Sequence, residues 1–312
     1  MSTVSIARES GATAVGSAAE AAEVAWTRSL TIAILALGVT QIIGWGSIYY
    51  ALTILGPSIS HDLGWPSQWT YVGFSAALVM AGASAPFAGR LLDRHGGRIV
   101  MSAGSVVAAL GLLLLATCTG WWTYLLAWLV LGIAKSMVLY EAAFATVAQA
   151  AVNEARRAIT YISFFGGLAS TFAWPATRLL HDALGWRATY LVYAALAIAV
   201  CLPLHWLALP KRAIGGASTL AGDRAPAQEA TTSPWFRTLA TVLLSTSFAM
   251  GSFMWSGVSV HFLTLLGMLG FSTAAAVGIG SVAGRLEQLS TSRRSVARGG
   301  GGAGHATGSP GG

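Results

Sequence analysis

Apolar residues run along this chain in long blocks, with the polar ones gathered between them. From Leu30 to Gly56 the only strongly polar side chain is Gln41. As a helix that block is about 40 Å long at 1.5 Å per residue, enough to cross a bilayer at a tilt. Further blocks cover about 69–89, 98–118, 122–151, 158–179, 187–209 and 236–265, and a shorter one covers 271–284. None shows the alternation with period two that a membrane barrel strand requires. Helices satisfy their own backbone in lipid. The pattern predicts an all-α fold, a polytopic membrane helix bundle with seven full spans and a short eighth.

The segments between the blocks suggest an organisation. Residues 1–28 form a polar tail, and the block after it is too long for the apolar core of a cleavable signal peptide. Residues 29–209 hold six spans with short connections. Residues 210–235 form a polar linker rich in Ala, Thr, Gly and Pro, and 236–284 begin a second bundle with two helices. Six spans, a long connection and further spans are the layout of a two-halved transporter. Residues 285–312 carry four arginines, the run Gly299 to Gly302 and no aromatic residue, a disordered tail by composition. Because composition changes inside a helix, the reading frame is expected to be truncated or shifted near Ala283–Glu287; the competing reading is a natural short form whose flexible basic tail touches anionic lipid. Such a chain is expected to transport poorly unless it dimerises.

Composition agrees. Of the 312 residues 55% are apolar and 9% charged, where a soluble domain carries about a quarter charged. Cys118 and Cys201 both lie in or at the edge of apolar blocks, which excludes a disulfide scaffold. The net charge of +7 could suggest a nucleic acid, so the placement of the eighteen Lys and Arg decides. With the first tail cytoplasmic, alternation puts fifteen on the cytoplasmic side and only Arg178 and Arg187 on the other, with Lys135 inside a span. That is the positive-inside bias of a multi-pass protein of a plasma or bacterial inner membrane. Eight of twelve tryptophans lie at block ends, where indole prefers the interface. The charge needs no nucleic acid.

Two short matches face the outer side: His61-Asp62-Leu63-Gly64-Trp65 before the second span and His181-Asp182-Ala183-Leu184-Gly185-Trp186 before the sixth. Between spans two and three lies Gly89-Arg90-Leu91-Leu92-Asp93-Arg94-His95-Gly96-Gly97-Arg98. Gly89 suits a close approach of two helices, Asp93 a helix terminus, and Gly96 with Gly97 a tight reversal. This stretch resembles the signature loop of the major facilitator superfamily, with every core position matched. The resemblance implies secondary active transport by alternating access. It also implies that Asp93, Arg94 and Arg98, with Gly89 and Gly97, form a gating latch between the two halves. Trp186-Arg187 is similar to the Trp-Arg found at the sixth span of that family. Pro175 lacks the glycines of the drug-antiporter motif.

An ionisable side chain at the bilayer centre costs about 2.5–3.5 kcal/mol on insertion scales. The fourth span holds two, Lys135 and Glu141, beside Tyr140. On a regular helix they lie about 120° apart and are not expected to pair. Glu141 reads either as a proton-coupling or substrate-contacting carboxylate or as a packing device. Lys135 reads either as an anion site or, the favoured reading, as a side chain snorkelling to the outer interface. Gln41, Trp45, Ile48, Tyr49 and Leu52 share a face of the first span, and Gly44 and Gly46 allow bending or close approach beside Trp45. Gln41, Trp45 and Tyr49 are substrate candidates, as are Trp255 and His261 in the seventh span; the same stripe also reads as packing. No zinc-protease motif, cysteine pair or phosphate-binding loop occurs, so no cofactor is implied and an enzyme is not expected. The partners implied are a small solute, protons and the lipid bilayer. A second reading is a membrane protein of the same fold without flux of its own, a sensor or remnant.

Overall fold

The computed structural model describes residues 28–150 and 154–210, with scattered positions between 235 and 269. Among the described residues, four helical stretches are long and apolar enough to cross a membrane: α1 (Arg28–Leu63), α2 (Ser67–Thr117), α3 (Trp121–Ala150) and α4 (Ala155–Ala208). Two of them reverse direction within their length. Gly96 in α2 has φ 78° and ψ 163°, and Gly185 in α4 has φ 79° and ψ 171°. Glycine alone takes that backbone cheaply, so each marks a reversal. The stretches thus resolve into six spans, at 28–63, 67–95, 97–117, 121–150, 155–184 and 186–208.

Contacts fix their directions. Tyr124 donates to the Thr70 carbonyl at 2.7 Å, and Ser84 shares a 3.0 Å hydrogen bond with Ser136, so spans two and four run in parallel. A Cβ on Gly104 would meet Met137 and one on Gly111 would meet Leu131, so span three runs against span four. Span five runs with span one: Gly38 faces Phe165, Gly46 faces Ala173, and Ser58 bonds His181. Span six runs against both span one and span three, since His205 reaches Thr40 and Ser105 while Arg187 reaches Asp62, Ala116 and Cys118. Direction alternates through all six. Arg28, Arg90, Arg94, Arg98, Arg156 and Arg157 consequently fall at one end, and Arg178 and Arg187 at the other.

The bundle is apolar outside as well as in its core, with small polar side chains set into the interior. Val79, Phe87, Leu110, Phe172, Leu179 and Leu207 face outward, whereas Thr40, Gln41, Ser102, Ser105, Thr146, Thr177 and Thr189 are buried. Lipid gives helices no hydrophobic reason to associate, so close packing at small residues carries the contact. Gly132 lies directly against the backbone of Ala77 and Gly166 against the Tyr140 ring.

At the basic end, the Gly89–Arg98 stretch is helical everywhere but Gly96 and is therefore not a loop. Among the described residues, nothing lies within 4 Å of a Cβ built on Gly89. The close approach is at Gly97: any Cβ there would run into Thr146 of span four. Gln149 donates to Asp93 at 3.1 Å, tying the carboxylate to span four as well. The Arg98 guanidinium stacks 4.7 Å over the Trp206 ring of span six, and Arg90 donates to the Pro86 carbonyl at 3.1 Å. Most of the second half that the latch would engage lies outside the described residues, as do most of the linker and the tails.

The opposite end is cross-tied by the two short sequence matches. Asp62 of the first pairs with Arg187, which follows the second, at 3.0 Å, and His181 of the second bonds Ser58 beside the first at 2.8 Å. Arg187 also donates to the carbonyls of Ala116 (3.2 Å) and Cys118 (2.7 Å), groups that the end of span three leaves without partners of its own. Trp65 and Trp69 pack edge-on against Trp121 at 5.7 and 4.9 Å. Moreover, Asp182-Ala183-Leu184-Gly185-Trp186-Arg187 repeats the Asp-x-x-Gly-x-Arg spacing of Asp93 to Arg98, with both glycines in nearly the same backbone conformation.

Two outcomes are expected from thermal unfolding in detergent micelles. Asp62→Asn loses a partly exposed ion pair and costs less than about 1 kcal/mol. Arg187→Ala strands two buried carbonyls and costs roughly 1–3 kcal/mol, so the larger drop in Tm belongs to Arg187; equal drops contradict this account. Gly97→Val is overpacked against Thr146 and costs on the order of 2 kcal/mol, while Gly89→Ala leaves Tm almost unmoved.

Candidate functional site

Two departures from regular helix create the site. In span four the helix breaks at Leu139, whose φ of −85° and ψ of −162° are extended. Neither Pro nor Gly stands there. The break is held from outside: the Gln41 side chain, 97 residues earlier, donates to the Val138 carbonyl at 2.8 Å. The Trp45 indole N–H in turn donates to the Gln41 carbonyl oxygen at 3.2 Å. In span one, Gly46–Tyr50 form a π turn, in which residues five apart rather than four lie over one another. Tyr50 thereby joins Trp45 and Tyr49 on one face, with ring centroids 6.5 and 5.2 Å from the Trp45 ring. Gly44 packs against Leu139 and Gly46 against Ala173, the close approach that glycines flanking Trp45 allow.

The break also changes how the two charges meet. Lys135 Nζ lies 3.8 Å from Glu141 Oε1, an ion pair that regular helix geometry does not permit. The extended residue at 139 resets the rotation between them, and that is why the 120° expectation fails. Lys135 does not snorkel outward either. It stands fourteen residues into its span, about 21 Å from Trp121, near mid-depth. Its ammonium sits 5.8 Å over the Trp45 ring, within reach of a cation–π attraction. Lys135 is largely covered, whereas Glu141 is 63% exposed, so the carboxylate is the more accessible of the two charges.

Around this pair the aromatic side chains close a wall. Tyr140 lies 5.0 Å from Trp45, stacks on Phe144 at 5.0 Å and donates to the Ser163 carbonyl of span five at 3.3 Å. Tyr49 packs edge-on against Phe74, and Tyr50 against Trp174, which also touches Leu266. Gln41, Trp45, Tyr49, Lys135, Tyr140 and Glu141 are thus brought together from spans one and four. Trp255 and His261 lie outside the described residues. Sequence reasoning missed Tyr50 and Trp174. A periodicity of 3.6 puts Tyr50 off the Trp45 face, and only the π turn returns it. It also passed over His205, which is buried between spans one, three and six.

Chemically, the arrangement offers one acid, one base and several π faces at mid-depth. Among the described residues no cluster of His, Cys, Asp and Glu could hold a metal ion.

A search of curated proteins gives no significant match. The family model described as Major Facilitator Superfamily matches residues 26–306. That match takes in all six spans, the Gly89–Arg98 signature and the segment beyond the compositional change at Ala283–Glu287. Its members are secondary transporters held in lipid by many helices, as the length and apolarity of these helices require. This multi-pass membrane chain belongs to the major facilitator superfamily.

Proposed function

We propose that the chain moves a small solute through the centre of its bundle by alternating access, coupled to protons through Glu141. The observation that carries this reading is the Lys135–Glu141 pair at mid-depth on a broken span. Charges there are costly, and their usual use is along a substrate or ion pathway. A pair 3.8 Å apart is beyond hydrogen-bond length, and a largely exposed carboxylate is free to exchange partners. When Glu141 takes a proton, Lys135 is left as an uncompensated cation beneath Trp45. When Glu141 releases it, the pair re-forms. Each protonation state therefore presents a different charge to a solute lying against Trp45, Tyr49 and Tyr140. Gln41 holds the break that makes this geometry, so its role is one of positioning.

The arginine-rich end faces the cytoplasm in this reading, as the positive-inside rule directs, and the N-terminus lies on that side. The signature residues Asp93, Arg94 and Arg98 then stand at the inner mouth, with Gly97 seating the turn on span four.

Two measurements test the reading. In proteoliposomes with an imposed proton gradient, uptake from a panel of sugars, carboxylates and amines is followed for the chain and for Glu141→Gln. Flux is expected to fall about tenfold or more, equivalent to 1.4 kcal/mol, and the remainder to be flat across roughly pH 5 to 8. A steep pH profile surviving in E141Q removes proton coupling through this carboxylate. Single cysteines at positions 94 and 61, labelled from one side of sealed vesicles, are expected to react in opposite compartments. Labelling of both from the same side defeats the topology.

A further inference from the structure

Away from the Lys135–Glu141 pair, the bundle buries a histidine in its interior. His205 of span six is 1% exposed. Its Nδ1 lies 2.8 Å from Ser105 Oγ of span three, and its Nε2 lies 3.0 Å from Thr40 Oγ1 of span one. Each hydroxyl has a further partner in its own helix: Ser105 Oγ is 3.1 Å from the Met101 carbonyl, and Thr40 Oγ1 is 3.0 Å from the Leu37 carbonyl.

Counting protons makes this cluster informative. A hydroxyl has one hydrogen to give, and a neutral imidazole has one N–H and one lone pair. With a neutral ring, one hydroxyl accepts from the N–H and keeps its carbonyl; the other must turn its hydrogen onto the bare ring nitrogen and abandon its carbonyl. With an imidazolium both ring nitrogens donate, both hydroxyls accept, and both hydroxyl hydrogens go to the backbone. All four of the short distances are used at once only in that protonated state. One hydroxyl rotation separates the two states, and each satisfies the ring fully.

Few other charges face the ring. Span one offers Arg28 at its inner end and span three offers Arg98, whose guanidinium lies on Trp206, next to His205. Span six adds the buried thiol of Cys201 one turn away. Among the described residues of spans three and six there is no carboxylate, and that of span one is Asp62 at the far end. The hydroxyls and carbonyls are the ring's stabilising partners. The ring also lies three residues from Ala208, about 5 Å from the end of its span. A proton has about one helical turn to cross.

We infer that His205 is a proton-binding site of this bundle, separate from Glu141, whose occupancy is read by the seam between spans one, three and six. The ligand is the proton itself: it adds to the unprotonated ring nitrogen, and the hydroxyl facing that nitrogen returns its hydrogen to a backbone carbonyl. Thr40 immediately precedes Gln41, which holds the span-four break. The second proton site therefore adjoins the polar centre along the backbone of span one.

The test is histidine-selective isotope NMR of the whole purified chain in micelles, titrated between roughly pH 4 and 8. The His205 signal is identified by its loss in His205→Gln. Should that variant not fold, the signal is identified by its displacement in Ser105→Ala and Thr40→Ala. The expected result is a ring protonated on both nitrogens at the acid end and on one at the other, with a midpoint moved by at least about half a unit, a roughly threefold change in proton affinity, in S105A and T40A. Ser105→Thr should restore it, and E141Q should leave it in place. A ring that keeps a single tautomer across the whole range, or a midpoint that neither hydroxyl variant moves, overturns the inference.

Discussion

A helix in hydrocarbon that skips one of its own hydrogen bonds has no water to replace it, so another part of the protein must supply the partner. Span four skips at Leu139, and Gln41 is the partner. Its amide donates to the carbonyl that the break releases and accepts from the Trp45 indole, so one side chain fixes the break and orients the ring below it. The approach of Lys135 to Glu141 depends on that break. So does the position of Tyr140, which becomes the first residue of the resumed helix rather than a continuation of the old one. The ion pair and the placing of Tyr140 rest on that amide, and the π turn of span one adds Tyr50 to the wall.

The rest of the bundle supports this centre by two cheap devices. Glycines in the left-handed region reverse the chain without a loop, and small residues let neighbouring helices lie close enough to share hydroxyl hydrogen bonds. Ser84 with Ser136, Tyr124 with Thr70 and Thr177 with Tyr193 are of that kind. Such contacts lie between helices, so they specify which span neighbours which. The apolar exterior specifies only that the whole lies in lipid.

The spans themselves were legible in the sequence because a helix that crosses lipid needs one property along about twenty residues, and that property is averaged over many side chains. The alternating placement of arginine was legible for the same reason. The break at Leu139 was not, since the side chain that satisfies the freed Val138 carbonyl stands 97 positions before it and no local residue breaks a helix there. The ion pair was misread because the rotation was carried across that break. Tyr50 was missed because a π turn changes the period for five residues only. Gly89 and Gly97 are equivalent as letters, and only the presence of Thr146 against one of them distinguishes their roles. His205 stood alone in the sequence, its two hydroxyl partners 100 and 165 residues away.

The π turn in span one has a counterpart at Ala197–Cys201 in span six. Each lies between the two places where these antiparallel helices grip one another, Thr40 with His205 on one side and Asp62 with Arg187 on the other. A π turn absorbs one residue more than a regular turn, and one residue is worth about 100° of azimuth and 1.5 Å of rise. Deleting a single residue from either stretch would leave an apolar, unbroken helix of ordinary appearance. That helix could no longer aim both of its grips at once, and hydropathy would register nothing amiss.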